Sequence, residues 1–226
     1  MMLKICSFNV KNNFIKHKNK TDNIIDFINK YKISVLGVQE YIFNESRKFN
    51  LEGYRCVGSG RFKQRKHVYN ETNSIITNCN VLKFKTYRLP WFFTSLPRIM
   101  TCALVKYKTD NILIINTHLD YLHRISQKRQ LNYILNYIKH KSKDYKIVLM
   151  GDFNLSIKSE LFNKFINDIK NYDISRVNID EKTFKLLPHA IDHIFISNSF
   201  KLKLYKVIND QKYDISDHYP IYIEID

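Results

Sequence analysis

The chain has 226 residues, and 37 Lys+Arg against 21 Asp+Glu give a formal charge of 37 − 21 = +16. With 44% hydrophobic and 14% aromatic residues it is not a disordered polycation, and its length suffices for a sizeable core. No stretch approaches the roughly 18–20 uninterrupted apolar residues of a membrane span, and Met1–Phe8 turns polar too soon for a signal peptide. The expectation is a cytoplasmic monomer without membrane insertion, folded as a single domain over 1–226. Cys6, Cys56, Cys79 and Cys102 are widely spread without zinc spacing, so they read as reduced, buried thiols.

Leu3–Val10 reads as a buried strand. Thr21 is placed to cap a helix whose Ile24, Ile25, Ile28 and Tyr31 share one face. Ile33–Val38 is a second buried strand, ending at Gln39-Glu40. Further strands are expected near 54–58, 73–78, 81–87, 99–107 and 111–119. Ser126 precedes a helix patterned by Leu131, Ile134, Leu135 and Ile138. Lys146–Met150 is a continuous strand running into Gly151-Asp152, followed by a weaker helix over about 158–170. Strands near 191–197, 201–208 and 219–225 close the chain. Mixing helices with hairpin-spaced strands predicts an α/β sandwich with mixed sheets. Two basic segments, Lys11–Lys20 and Arg61–His67, lack apolar periodicity and read as surface loops.

The chemistry-bearing residues fall at strand ends. Asn9 ends the first strand, Glu40 follows the second, and His118 and Asp120 follow Ile112–Asn116. Asp152 and Asn154 follow Ile147–Met150, Asp192 opens Ile194–Ile196, and Asp217-His218 precede Tyr219–Ile225. Strand ends of α/β proteins converge at one rim, where ligands bind. Glu40, Asp152, Asn154, Asp192 and Asp217 offer hard oxygen donors that suit Mg²⁺, Ca²⁺ or Mn²⁺ rather than structural zinc. Clustered carboxylates repel one another unless a cation neutralises them. Two histidines can stabilise charge on a phosphoryl oxygen. Such a set, lacking a Ser or Cys nucleophile in the pattern, favours attack on a phosphate ester by an activated water.

The ordered series Phe-Asn-Val, Gln-Glu, Asn-Thr-His-Leu-Asp, Gly-Asp-Phe-Asn, Ile-Asp-His-Ile-Phe and Ser-Asp-His-Tyr-Pro resembles the endonuclease/exonuclease/phosphatase superfamily over nearly the whole chain. The resemblance implies a four-layer α/β sandwich: two mixed, mainly antiparallel β-sheets packed face to face with helices outside. It implies Mg²⁺, with Mn²⁺ as a possible substitute, held by Glu40 with Asn9 and Asp217 beside it. Asp152 and Asn154 are implied to orient or deprotonate the attacking water. His218 is implied to contact the scissile phosphate, with Asp192 orienting it. His118 is implied to stabilise charge on the phosphoryl oxygens. Glu71 is a candidate partner for His118. Asn73 matches the family's Gly-Asn-Ala-Ile-Leu segment, although Thr72 replaces the Gly. Arg98 is a candidate phosphate clamp, Asp120 a supporting residue, and Arg129-Gln130 a structural match. Ala190 stands where many relatives carry Arg before Ile-Asp, leaving that contact missing or supplied by His189 or Lys185.

The fold and catalytic core are shared among many reactions, so these motifs name a chemistry and not a substrate. The expected function is a Mg²⁺-dependent phosphodiesterase or nuclease acting on nucleic acid, since basic residues neutralise backbone phosphates. Phe14, Phe62 and Tyr69, interleaved in the basic loops, are candidates to stack bases. The alternative is a phosphatase or phosphodiesterase acting on a phospholipid headgroup, inositol phosphate or other small phosphorylated metabolite. The wealth of Lys, Asn and Ile also matches an AT-rich coding bias, which tempers the charge argument. A non-catalytic module on the same fold would have lost some of Glu40, Asp152, Asn154, Asp217 and His218, and all are present.

Overall fold

A computed structural model describes residues 2–11, 20–63, 70–91, 96–213 and 215–226. In chain order the elements are β1 (Leu3–Asn9), α1 (Lys20–Tyr31), β2 (Val35–Ile42), α2 (Phe43–Lys48), β3 (Arg55–Val57), β4 (Glu71–Thr77), β5 (Asn80–Arg88) and β6 (Ile99–Tyr107). They continue with β7 (Asp110–His118), α3 (Arg124–Lys141), β8 (Lys146–Asp152), α4 (Glu160–Ile169), β9 (Ile174–Arg176), β10 (Asp192–Ser197), β11 (Leu202–Val207) and β12 (Ile221–Ile225). The strands form two six-stranded sheets, ordered β11-β12-β1-β2-β4-β3 and β5-β6-β7-β8-β10-β9. Among the described residues, only β1–β2 and β7–β8 pair in parallel; the remaining neighbours are antiparallel.

Side-chain alternation along the strands builds the layers. On β1, Leu3 and Ile5 face the core between the sheets, while Cys6 and Phe8 face outward under α1. On β8, Val148 and Met150 face inward, and Ile147 and Leu149 pack outward under α3 and α4. The result is the expected four-layer sandwich: helix, sheet, sheet, helices. Among the described residues, no helix is long and apolar enough to cross a membrane.

The structure redraws several boundaries. α1 is described from Lys20 onward, so Thr21 lies within it, and its hydroxyl meets the Tyr41 hydroxyl at 2.8 Å. α3 begins at Arg124 and buries Ser126 in its first turn. β2 runs on through Gln39-Glu40 to Ile42 instead of stopping at Val38. α2 and β9 were not anticipated; both are too short for a periodic signal.

Candidate active site

The inward parity of each strand delivers one polar residue to the same end of the sandwich. Asn9 continues the row of Leu3, Ile5 and Ser7; His118 continues Ile112, Ile114 and Asn116; Asp152 continues Val148 and Met150. Register aligns them: His118 is opposite Asp152 across β7–β8, and Asp192 is opposite Asp152 across β8–β10. On the facing sheet, Asn9 is opposite Gln39 across β1–β2.

Glu40 is out of phase with this pattern. Gln39 takes the inward position, where its amide donates to Asn116 Oδ1 at 2.6 Å. Strict alternation would turn Glu40 outward. The β2–β4 register shifts between Val38 and Tyr41, and Glu40 adopts φ +56°. A bulge with a left-handed residue re-aims a side chain, and here it places Glu40 in the cleft. Asn154 has φ +52°, a conformation that Asn tolerates, and its amide donates to the Leu119 carbonyl at 3.1 Å. Gly151 is required by contact: a Cβ there would lie 1.9 Å from the Thr117 carbonyl oxygen, at φ +148°.

A cleft of about 430 Å³ is lined by Lys11, Glu40, Arg61, Glu71, Leu96, Arg98, His118, Tyr121, Asp152, Asn154, Phe184, Asp217 and His218. At its floor the Asn9 amide donates to Asp152 Oδ2 at 2.9 Å and to Glu40 Oε1 at 3.2 Å. Its oxygen accepts the Lys11 N–H at 3.0 Å. Asn9 thus turns its nitrogen, not its oxygen, toward the carboxylates. Asp152 Oδ1 accepts the Asn154 N–H at 2.9 Å. His218 Nδ1 donates to Asp192 Oδ2 at 2.9 Å, while its Nε2 lies 3.7 Å from Asp152 Oδ2. His118 Nε2 approaches the same Asp152 oxygen from the other side, at 3.5 Å.

Environment divides the two imidazoles. Burial disfavours charge on His218, but Asp192, Asp152 and Asp217 outweigh it and raise its pKa to about 10. Burial, then Arg98, Arg61 and His218, drive His118 well below 6.5. His218 is therefore an imidazolium and His118 a neutral ring at pH 7. Asp152 is pushed up to about 7 by burial and Asp192, against the opposing pull of His218 and Asn9. Asp192 Oδ1 is buried without a hydrogen-bond partner. Arg98, 7% exposed, has Nη1 3.2 Å from the His118 ring nitrogens, and its guanidinium stands 5.9 Å from the Tyr121 ring centre.

The oxygen donors fit a hard divalent cation. Glu40, Asp152 and Asp217 line one cleft, no cysteine lines it among the described residues, and clustered carboxylates call for a cation. The ligand atoms of Asp152, Asp192 and His218 also lie within 4.8 Å of one another, a spacing compatible with a metal ion.

The remaining sequence candidates sort by their contacts. Glu71 forms a 2.6 Å ion pair with Arg61 and faces a small cavity shared with Asn73, Arg98 and His118. The Asn73 amide donates to the Ile99 carbonyl at 2.6 Å and so ties β4 to β6 in the opposite sheet. Asp120 is not among the described residues lining the cleft. Its carboxylate accepts the Leu122 and His123 N–H groups at 2.8 Å each, shaping the entry into α3. Gln130 supports the same turn by accepting the Asp120 N–H at 2.8 Å. Ala190 is fully buried, and the Lys185 ammonium donates to the Ser216 carbonyl beside the site.

The basic loops depart from the surface reading at Arg61 and Lys20, while Lys63 is exposed and Lys11 half-buried. Arg61 is 4% exposed and paired, Lys20 is buried with its ammonium on the Val10 carbonyl at 2.8 Å, and Lys11 holds Asp217. Phe14 and Tyr69 lie outside the described residues; Phe62 is described, with the Arg61 guanidinium 5.8 Å from its ring centre. Tyr121, Phe184 and Leu96 were missed because isolated apolar residues in loops carry no pattern. The Phe184–His218 bridge, with ring centres 4.7 Å apart, has no local sequence signal at all.

Two facing sheets that deliver carboxylates, an imidazolium and a neutral imidazole to one rim define a hydrolase of phosphoric esters. The chain belongs to the endonuclease/exonuclease/phosphatase family, whose model matches residues 6–218. Members of this family generally use a divalent metal. Its fold is similar to that of a mannosyl-6-phosphatase from Bacteroides thetaiotaomicron VPI-5482, with TM-score 0.85 and 19% identity over 99% of both chains. It is also similar to the human Nocturnin catalytic domain solved with bound sulfate: TM-score 0.78, 15% identity, 100% of this chain and 93% of that one. A third similar structure is ANGEL2, a 2′,3′-cyclic phosphatase in complex with adenosine-2′,3′-vanadate: TM-score 0.77, 18% identity, 100% of this chain and 95% of that one. No curated protein matches the chain significantly in sequence.

Proposed function

We propose that the chain hydrolyses phosphodiester bonds of nucleic acid by in-line attack of an activated water, with Mg²⁺, or Mn²⁺ in its place, at Glu40 and Asp217. The single observation that carries the reaction is the row His118–Asp152–Asp192 with His218 bridging the last two. When bound, the ion polarises the phosphoryl oxygen and offsets the carboxylates. Asp152, poised near neutrality, takes the proton of the attacking water. The Asn154 N–H and the Asn9 amide hold that carboxylate in place. His218 donates from Nε2 to a phosphoryl oxygen, kept charged and oriented by Asp192 at Nδ1. His118 stays neutral: it accepts from Arg98 at one nitrogen and offers the other to the phosphate. Arg98 supplies a planar donor fork for the same group. Asn9 orients Glu40 and Asp152 rather than binding the ion through its oxygen. Asn73, Glu71 and Asp120 support the frame without touching substrate. The same reading takes the chain as one domain that works as a monomer in the cytoplasm.

The substrate assignment rests on charge. The cleft balances four cations, Lys11, Arg61, Arg98 and the His218 imidazolium, against four carboxylates, Glu40, Glu71, Asp152 and Asp217. The +16 excess therefore lies outside it, where a long polyanion senses it and a small metabolite does not. A second reading, a small phosphorylated metabolite or lipid headgroup, is favoured by the limited cleft volume and its Tyr121, Phe184 and Leu96 walls. A substrate panel of single- and double-stranded DNA and RNA, sphingomyelin and inositol phosphates separates them. We expect nucleic-acid cleavage that needs Mg²⁺ or Mn²⁺, stops with chelator, weakens steeply with salt and is lost in Asp152→Ala. Activity retained in Asp152→Ala and Glu40→Ala refutes the site; turnover of metabolites alone, flat in salt, refutes the substrate.

A further inference from the structure

Asp217 reaches the cleft already matched by a cation of the chain itself. Lys11 Nζ lies 2.5 Å from Asp217 Oδ2. The backbone of Lys11 is fixed: it sits at φ +45°, and its N–H donates to Asn9 Oδ1 at 3.0 Å. Through its nitrogen, the same Asn9 amide holds Glu40 and Asp152. The Lys11 side chain, by contrast, is 42% exposed. The other cleft cations are enclosed: Arg61 is 4% exposed against Glu71, Arg98 is 7% exposed against His118, and the His218 imidazolium is 7% exposed against Asp192. Lys11 is thus the cleft cation with a pinned root and a half-exposed head.

An ammonium and a hard divalent ion compete for one carboxylate oxygen. Metal–oxygen bonds of about 2.0–2.6 Å leave no room for an ammonium on the same lone pair, and the two cations repel. We propose that Lys11 must leave Asp217 before a divalent ion can take it, and that the displaced ammonium then turns onto the substrate phosphate in the same cleft. The inference rests on reading Asp217 as an ion ligand. Lys11 thereby couples ion binding to phosphate binding. Without the ion its charge is held by Asp217; with the ion in place it faces the anion that the ion also attracts.

The test is calorimetric titration of Mn²⁺ into chelator-stripped wild type, Lys11→Met, Lys11→Arg and Asp217→Asn. Lys11→Met should bind Mn²⁺ at least about tenfold more tightly, and Lys11→Arg about as weakly as wild type. At saturating Mn²⁺, Lys11→Met should raise KM for bis(p-nitrophenyl) phosphate by at least about fivefold, with a smaller change in kcat. Mn²⁺ affinity in Lys11→Met equal to or below wild type overturns the competition. Tighter Mn²⁺ with unchanged KM overturns the transfer to phosphate. A misfolded variant cannot yield tighter binding, so the predicted gain is its own control. If Asp217→Asn and wild type bind Mn²⁺ equally, the ligand assignment of Asp217 is what fails.

Discussion

Replacing Asp192 by Asn removes the carboxylate that contributes most to holding the His218 imidazolium. In the metal-free protein His218 is raised from 6.5 to about 10, so the folded state favours the imidazolium by 10 − 6.5 = 3.5 units. At about 1.36 kcal/mol per unit that is roughly 5 kcal/mol. The sign follows from linkage. A histidine whose pKa is raised by folding stabilises fully below its unfolded value, and that contribution fades as pH rises through the folded value. The stabilisation is therefore complete below pH 6.5 and gone above about 10. In chelator-treated wild type, the His218 ring resonances should not titrate between pH 6 and 8.5. In Asp192→Asn the midpoint should fall toward 6.5. The variant should also melt lower than wild type at pH 6, and that gap should close as pH approaches 10. A wild-type His218 titrating near 6.5, or a stability gap independent of pH, refutes the assignment of an Asp192-held imidazolium.

His193 behaves oppositely: burial, then Arg176, lower it from 6.5 to about 3. It should therefore destabilise the fold progressively as pH drops below 6.5, by about 2 kcal/mol at pH 5, and His193→Gln should flatten that acid limb in thermal melts. Gly151→Ala forces a Cβ against the Thr117 carbonyl oxygen and should cost more than about 3 kcal/mol, read by urea denaturation, with loss of activity as Asp152 leaves its register with His118. Asn116→Ala strips donors from the Val38 and Ser74 carbonyls and the acceptor from Gln39, all at the sheet interface. It should lower stability by roughly 2–4 kcal/mol in the same assay.

The sequence exposes the site because strand ends are legible. Continuous apolar runs such as Ile147–Met150 mark buried strands, and a polar residue just beyond one is conspicuous. Alternation from Ile112 to His118 even foretells which face each side chain takes. Glu40 was found from its position after Val38, but not for its cause: the bulge arises from pairing with β4, about thirty residues later in the chain. Arg61 read as surface charge because its partner Glu71 lies ten residues on, at the start of β4, and only tertiary pairing makes a buried Arg tolerable. Lys11 was lost in a basic run for the same reason: its meaning depends on Asp217, at the far end of the sequence. Among the expected residues, Asp120 turned out to organise a turn, the ordinary role of an Asp beside a helix start.

Strand β12, the last strand among the described residues, sits between β11 and β1, with Leu3 opposite Ile225 and Ser7 opposite Ile221. A nascent chain can assemble the β5–β8 sheet core and its helices while still tethered to the ribosome. β1, however, waits with an open edge until residues 221–225 have cleared the exit tunnel. Asp217 and His218 arrive with that same segment, so the cleft is completed only once it has emerged. Non-local closure of this kind is slow, and an unpaired apolar strand is prone to mispairing in the interval. The protein thus reaches its hydrolytic form through a late folding step, and truncation within β12 would produce an aggregation-prone and inactive chain rather than a shortened enzyme.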